Sequence, residues 1–185
     1  MLFSETPIAD ALILEVARIG DERGYFGRLW CEQEMVERGL VATIKQSNVG
    51  FSPVSGTLRG LHYQVRPHAE VKIVRCTRGR VFDVVVDLRR ESPTYKVWHG
   101  VELTPENGKM LYVPEGCATG YLTLEPDSEI YYNTSAFYAP NAASGVRWDD
   151  PAFGIQWPSV PKVISDNDVS WPDFESDSRE NEIHP

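Results

Sequence analysis

The chain has 185 residues, 42% of them hydrophobic and 24% charged, with a formal net charge of −9. That length encloses one core and a pocket without disulfides or metals, and the acidic balance argues against a nucleic-acid binder, which needs a broad basic surface. No apolar run is long enough to cross a bilayer, and Glu5 and Asp10 precede the apolar stretch 11–16, the reverse of a secretory leader, so a cytoplasmic protein with no membrane partner is expected.

The first strand is expected at 12–16, followed by a short helix at 32–38 that Gly39 ends as a C-terminal cap. Further strands are expected at 43–49, in the strand-like segment around Arg59 to Gln64, and at 71–77. The clearest strand is 79–88, rich in β-branched residues and expected inside a sheet. Strands at 96–103, 110–113, 120–124 and 129–134 complete the series. The separators 50–56, 78–79, 92–93, 104–108, 114–116 and 126–127 are rich in turn-formers. Near the end, Ser165 reads as an N-cap opening a single turn before Pro172. Many short strands with hardly any helical periodicity predict an all-β fold, an antiparallel jelly-roll barrel with short peripheral helices. One domain is expected over 1–174, with 175–185 as an acidic, flexible tail. Cys31, Cys76 and Cys117 form no Cys-x-x-Cys pair and read as buried free thiols.

The chemistry is expected around His62, which follows Arg59 and Gly60, with Leu61 and Tyr63 on the opposite strand face. Its plain alternative is a core histidine satisfied by one hydrogen bond. Alternation puts Lys72 on one face with Val74 and Cys76, so it is a buried lysine in need of a partner, unless it is an exposed strand lysine. Asp83 is one candidate partner and a substrate carbonyl or phosphate another. A second cluster, 128–133, offers a phenol as proton donor opposite the histidine, and periodicity leaves open whether Tyr131 or Tyr132 faces the pocket. His62, His68 and Glu70 also look like a first cupin metal motif. Five residues separate these histidines where that motif has one, so a metal-dependent cupin stands only as an alternative.

From about residue 5 to residue 174 the chain resembles the dTDP-4-dehydrorhamnose 3,5-epimerase family. The motifs are Gly20-Asp21-Glu22-Arg23-Gly24, Arg59-Gly60-Leu61-His62-Tyr63-Gln64, the segment 81–89, Tyr112-Val113-Pro114-Glu115-Gly116 and the segment 147–158. The resemblance implies a metal-free, cupin-type jelly roll without a redox cofactor. It also implies a homodimer exchanging N-terminal strands and a nucleotide-diphosphate sugar substrate, a dTDP-linked 4-keto-6-deoxyhexose. On this resemblance His62 removes the proton beside the ketone, Tyr132 returns one from the other face, and Asp168 raises the basicity of the histidine. Inverting a carbon next to a carbonyl needs an enolate, a base and an acid, and Lys72 can neutralise the enolate oxygen. Arg23 and Arg59 match positions that hold the diphosphate. Gln46, Asn48 and Tyr138 match residues around the nucleotide, and Asp83 a buried polar position near the lysine.

The chain departs from the pattern at Thr119, where double epimerases of the family usually carry histidine. Arg28 stands where many members have glutamate, and Asn167 where a basic residue often precedes the aspartate. Threonine takes no proton at neutral pH, so inversion at C3 alone or at C5 alone competes with inversion at both. A 3,4-ketoisomerase acting on the same class of substrate and a non-catalytic sugar-nucleotide-binding cupin also fit these residues.

Overall fold

The computed structural model describes residues 1–174; the expected tail at 175–185 lies outside them. The first half of the chain forms β1 (Leu2–Glu5), β2 (Leu12–Glu15), β3 (Ile19–Asp21), β4 (Gly24–Phe26), α1 (Glu32–Val36), β5 (Gln46–Ser52), β6 (Leu58–Gln64) and β7 (Lys72–Arg78). The second half forms β8 (Val81–Asp87), β9 (Trp98–Leu103), β10 (Lys109–Val113), β11 (Cys117–Thr123), β12 (Ser128–Thr134), β13 (Ala143–Gly145) and α2 (Asp166–Val169). Two antiparallel sheets result, ordered β1-β2-β10-β7-β12-β5 and β13-β6-β11-β8-β9, with β3 and β4 as a separate hairpin. This is the jelly roll that the strand spacing predicts.

β8 shows why the sheets face each other. Val81 and Val85 point between them, meeting Ile130 and Leu111 respectively in two apolar clusters. Val84 and Val86 point the other way, beneath Val146, Phe153 and Phe174 of the C-terminal segment. Cover on both faces accounts for the nearly unbroken apolar run of this strand, which pairs with β11 and β9 and so lies inside its sheet as expected. The outer face of the other sheet is covered by Trp30, Met35 and Leu40, packed on Leu14, Ile73 and Met110. α1 is two residues shorter than expected at its end, and the chain leaves it through Gly39 at φ +72°.

Several strands start or stop elsewhere than expected, with β8 beginning at Val81 rather than residue 79 and β11 at Cys117 rather than residue 120, and two of the shifts have local reasons. β5 runs through Gly50 because that glycine is a point of close approach: a Cβ there would lie 3.2 Å from the Tyr121 hydroxyl. β9 begins at Trp98, after Lys96, whose φ of +65° breaks the extended run. β1, β3, β4 and β13 were not expected, each having only three or four residues, too few for alternation to show. All three cysteines are free; Cys76 and Cys117 are buried as expected, whereas Cys31 is only half-buried.

Candidate active site

Strand register chooses between the two adjacent tyrosines. Tyr132 lies opposite Val74 on one side and Asn48 on the other, whereas Tyr131 lies opposite Arg75 and Val49. Directly opposed residues share a sheet face, and Val74 belongs to the core between the sheets. Tyr132 therefore faces inward and Tyr131 outward. The same register brings Lys72, opposite Thr134, and Gln46, also opposite Thr134, to the inner face.

β6 reaches the same space by breaking alternation. Arg59 and His62 are three residues apart and would ordinarily point to opposite faces. Thr119 instead pairs with His62 and Tyr121 with Arg59, so the register slips by one residue between them, a bulge that turns both side chains inward. Two facing glycines make room for it. A Cβ on Gly60 would lie 2.5 Å from Gly120 Cα, and one on Gly120 2.6 Å from the Arg59 carbonyl oxygen.

His62 Nε2 lies 2.6 Å from Asp168 Oδ1. The aspartate is presented by α2, whose N-cap Ser165 accepts the Asp168 amide through its hydroxyl at 3.1 Å. Burial works against the Asp168 charge, but the hydrogen bond and charge of His62, with the Gly60 amide and Ser165, hold the carboxyl below its ordinary range. An ionised carboxylate only accepts, so Nε2 carries the hydrogen and Nδ1 is left as the nitrogen able to take a proton.

Lys72, 13% exposed in its side chain, forms an ion pair with Glu70 at 3.2 Å. Its Nζ also donates to the His62 carbonyl at 3.2 Å. Its direct partners are thus Glu70 and a backbone oxygen rather than Asp83, which feels the lysine only as a nearby charge. Asp83 is 1% exposed. Burial pushes its carboxyl up to about 7, against Thr119, the Val84 backbone and Lys72. Burial also raises the Tyr132 phenol, reinforced by Glu70 and opposed by Arg59.

Two adjoining hollows, each about 580 Å³, hold these groups. Arg59, Asp83, Thr119 and Asp168 line the first, Gln46, Asn48 and Tyr138 the second, and His62, Lys72 and Tyr132 both. Arg23 is the exception. It sits on the β3–β4 hairpin with its side chain 84% exposed, paired among the described residues only to Asp21 beside it, and it lines neither hollow. The hairpin projects from the fold, with Ile19, Tyr25 and Phe26 exposed, so the chain does not bring Arg23 to its own cavity. Arg28 is likewise engaged elsewhere, with Glu34 at 3.1 Å, whereas Asn167 lines both hollows. His68 lies on an exposed turn, and among the described residues no group of three or more His, Cys, Asp or Glu is placed to hold a metal ion.

Two further residues belong to the site. Glu70 is the counter-ion of Lys72, signalled by its position two residues before it. Tyr121 lines the first hollow beside Thr119, a placement that alternation along β11 gives once Thr119 is known to face inward. The arrangement is a basic ring nitrogen on one sheet, a phenol on the facing sheet and an ammonium group nearby. It can take a proton from one side of a bound molecule, hold the charge that results, and supply a proton from the other side.

The family model described as dTDP-4-dehydrorhamnose 3,5-epimerase matches residues 5–176. The chain belongs to this family. A dTDP-4-dehydrorhamnose 3,5-epimerase from Sinorhizobium fredii is 44% identical over 177 residues, covering 93% of this chain and 89% of the relative. The solved dTDP-4-dehydrorhamnose 3,5-epimerase of Bacillus anthracis, with TDP and PPi bound, superimposes with a TM-score of 0.88 at 37% identity, covering 92% of this chain and 98% of that one. A 3'-monoepimerase from Streptomyces bikiniensis, in complex with dTDP-quinovose, gives 0.81 at 33% identity, with 88% and 83% covered. The protein is accordingly an isomerase of the sugar-nucleotide epimerase class.

Proposed function

We propose that the protein epimerises C3, C5 or both in a dTDP-linked 4-keto-6-deoxyhexose. The observation that carries this reading is the His62–Asp168 pair on one side of a cavity whose other sheet presents Tyr132 and Lys72. In this mechanism His62 Nδ1 removes the proton from the carbon beside the C4 ketone. The electron pair moves into an enolate, whose oxygen is stabilised by the Lys72 ammonium. Tyr132 then gives its phenolic proton to the opposite face of the carbon, which inverts it. Asp168 positions the ring and stabilises the imidazolium. Arg59 engages the diphosphate, and Gln46, Asn48 and Tyr138 the nucleotide, a role supported by the TDP and dTDP-sugar found in the two solved relatives. No metal or redox cofactor enters this scheme.

Arg23 joins the reading through a homodimer. The exposed apolar hairpin is the segment that would cross to a second copy and carry Arg23 to that copy's cavity. Sedimentation of the purified protein should give twice the chain mass, and Arg23→Ala should weaken substrate binding without changing the fold. The protein is read as cytoplasmic.

Thr119 favours a second reading within the same class, inversion at a single carbon, because it places a hydroxyl where a second ionisable ring is usual. Proton NMR of dTDP-4-keto-6-deoxyglucose with the protein in heavy water separates the readings. Loss of both the C3 and C5 signals identifies a double epimerase, and loss of one a single epimerase. Retention of both, with binding intact, would overturn the epimerase reading in favour of a binding protein. Migration of the ketone to C3 would replace it with a ketoisomerase.

A further inference from the structure

Asp83 has an environment that the mechanism above does not use. It lies on the inner face of β8 and lines the first hollow with Lys72 and Tyr132. Its Oδ2 is buried and finds no hydrogen-bond partner among the described residues. Its Oδ1 lies 3.3 Å from the Thr119 hydroxyl, but that hydroxyl is only 2.8 Å from the Val84 carbonyl oxygen. A hydroxyl has one hydrogen and a carbonyl has none to give. The Thr119 hydrogen therefore belongs to the shorter contact with Val84, and Asp83 meets chiefly a lone pair.

The Val84 backbone favours the Asp83 charge, but burial outweighs it, and the other groups around Asp83 do not supply what Thr119 withholds. From β11, Tyr121 stands directly opposite it, and from β9 the opposed residue is the apolar Val101. From β7, Lys72 contributes a favourable charge, but its ammonium is already engaged by Glu70 and the His62 carbonyl. From β6, Arg59 is held by Ser52 and the Phe51 carbonyl, and His62 by Asp168. Tyr132 of β12 brings no positive charge. A carboxylate at this depth would keep an unmet acceptor, whereas a neutral carboxyl brings a hydrogen of its own.

We propose that Asp83 is held as a protonated carboxyl and donates a hydrogen bond, alongside Lys72, to the substrate oxygen that gains negative charge. The proposal rests on the epimerase reading for the identity of that oxygen. It assigns the chain a donor at position 83 in place of the ionisable ring that relatives usually carry at 119. The protonated form is the active one, so the rate should fall as pH rises through neutrality, the range to which burial brings this carboxyl.

Two measurements decide it. Carboxyl carbon NMR of protein labelled at aspartate should show one resonance titrating near neutral pH that disappears in Asp83→Asn. If every resonance lost in that variant titrates below about pH 5, in the ordinary carboxylate range, the protonated state is wrong. In the heavy-water exchange assay, Asp83→Asn keeps a donor of the same shape and should retain activity within about tenfold, with its high-pH fall abolished. Asp83→Ala should lose about 100-fold or more, the size of a missing oxyanion donor. Equal losses in Asn and Ala, with the pH profile unchanged, would mean that the residue acts by its charge and would sink the proposal. A wild type without exchange at either carbon removes the epimerase reading and the catalytic half of the proposal together. The NMR titration decides the protonation state in either case, and it needs only Asp83→Asn, so a poorly folding Asp83→Ala does not compromise it.

Discussion

β8 carries two aspartates four residues apart, Asp83 and Asp87, both on its inner face and both almost fully buried, at 1% and 0% exposure. Their surroundings are opposite. Asp87 accepts from the Arg89 amide at 3.0 Å, from Arg89 Nε and Nη2 at 2.9 Å each, from Thr94 at 2.7 Å and from the Ser92 hydroxyl. Burial opposes its charge, but these donors outweigh burial and hold the carboxyl below its usual range. Asp83 has one long side-chain contact, the Val84 backbone, the more distant charge of Lys72 and an oxygen with no partner among the described residues, and burial prevails. The same residue type at the same depth thus becomes an anion where the fold closes a network around it, and an acid where the fold opens onto the cavity. Burial alone does not decide a charge; the supply of donors does.

The contrast predicts that losing a group from the cavity half lowers the rate, while losing one from the closed half lowers stability. The largest effect is expected from His62→Ala, a fall of about 1000-fold in exchange rate, roughly 4 kcal/mol of barrier, with the thermal midpoint almost unmoved. A comparable loss of melting temperature would break the contrast. Arg89→Ala, in the closed half, strips the guanidinium from the buried Asp87, leaving it the residue-89 amide and its hydroxyl partners, and should cost about 3 kcal/mol, or a midpoint lower by about 10 °C by calorimetry. The rate per folded molecule should not change.

The two aspartates should also give opposite pH slopes. Asp83 ionises near 3.8 when unfolded and near 7 in the fold, so between those values the folded protein holds a proton that the unfolded chain has released. Its contribution to stability is fully present below the lower value and is lost as pH rises toward the upper one. Asp87 behaves in the reverse sense: its contribution is present above the ordinary carboxyl range and is lost as pH falls through its lowered value. Asp83→Asn should therefore raise the melting temperature by several degrees at pH 8 and by less at pH 5. A larger gain at pH 5 would reverse the assignment. The smallest change is expected from Tyr131→Phe, within about twofold of wild-type rate because that phenol faces outward, against a severe loss in Tyr132→Phe.

Much of this was legible before the fold. β-Branched runs and glycine- and proline-rich turns mark the long strands, and Ser165 marks the start of the helix that presents Asp168. Lys72 was legible as inward-facing because Val74 and Cys76 share its face. The pairing of Asp168 with His62 was not, since the two are 106 residues apart and nothing local couples them; the family resemblance alone pointed to it. The choice of Tyr132 over Tyr131 likewise required the register of a neighbouring strand. Arg59 was hidden by the bulge, because strict alternation sends it to the face opposite His62. Arg23 was misleading for a different reason: its motif is local and clear, but its hairpin folds away from the cavity of its own chain.

The facing glycines at 60 and 120 fix more than a bend. Because main chain meets main chain there, the spacing between the arginine at one end of the bulge and the imidazole at the other is set by atoms that every amino acid shares. The side chain at 119 stands next to this fixed frame rather than within it. Exchanging that side chain alters the wall of the cavity while leaving the imidazole where it was. Such a frame lets the lining of the cavity vary by single substitutions, with the arginine and the imidazole kept in place throughout.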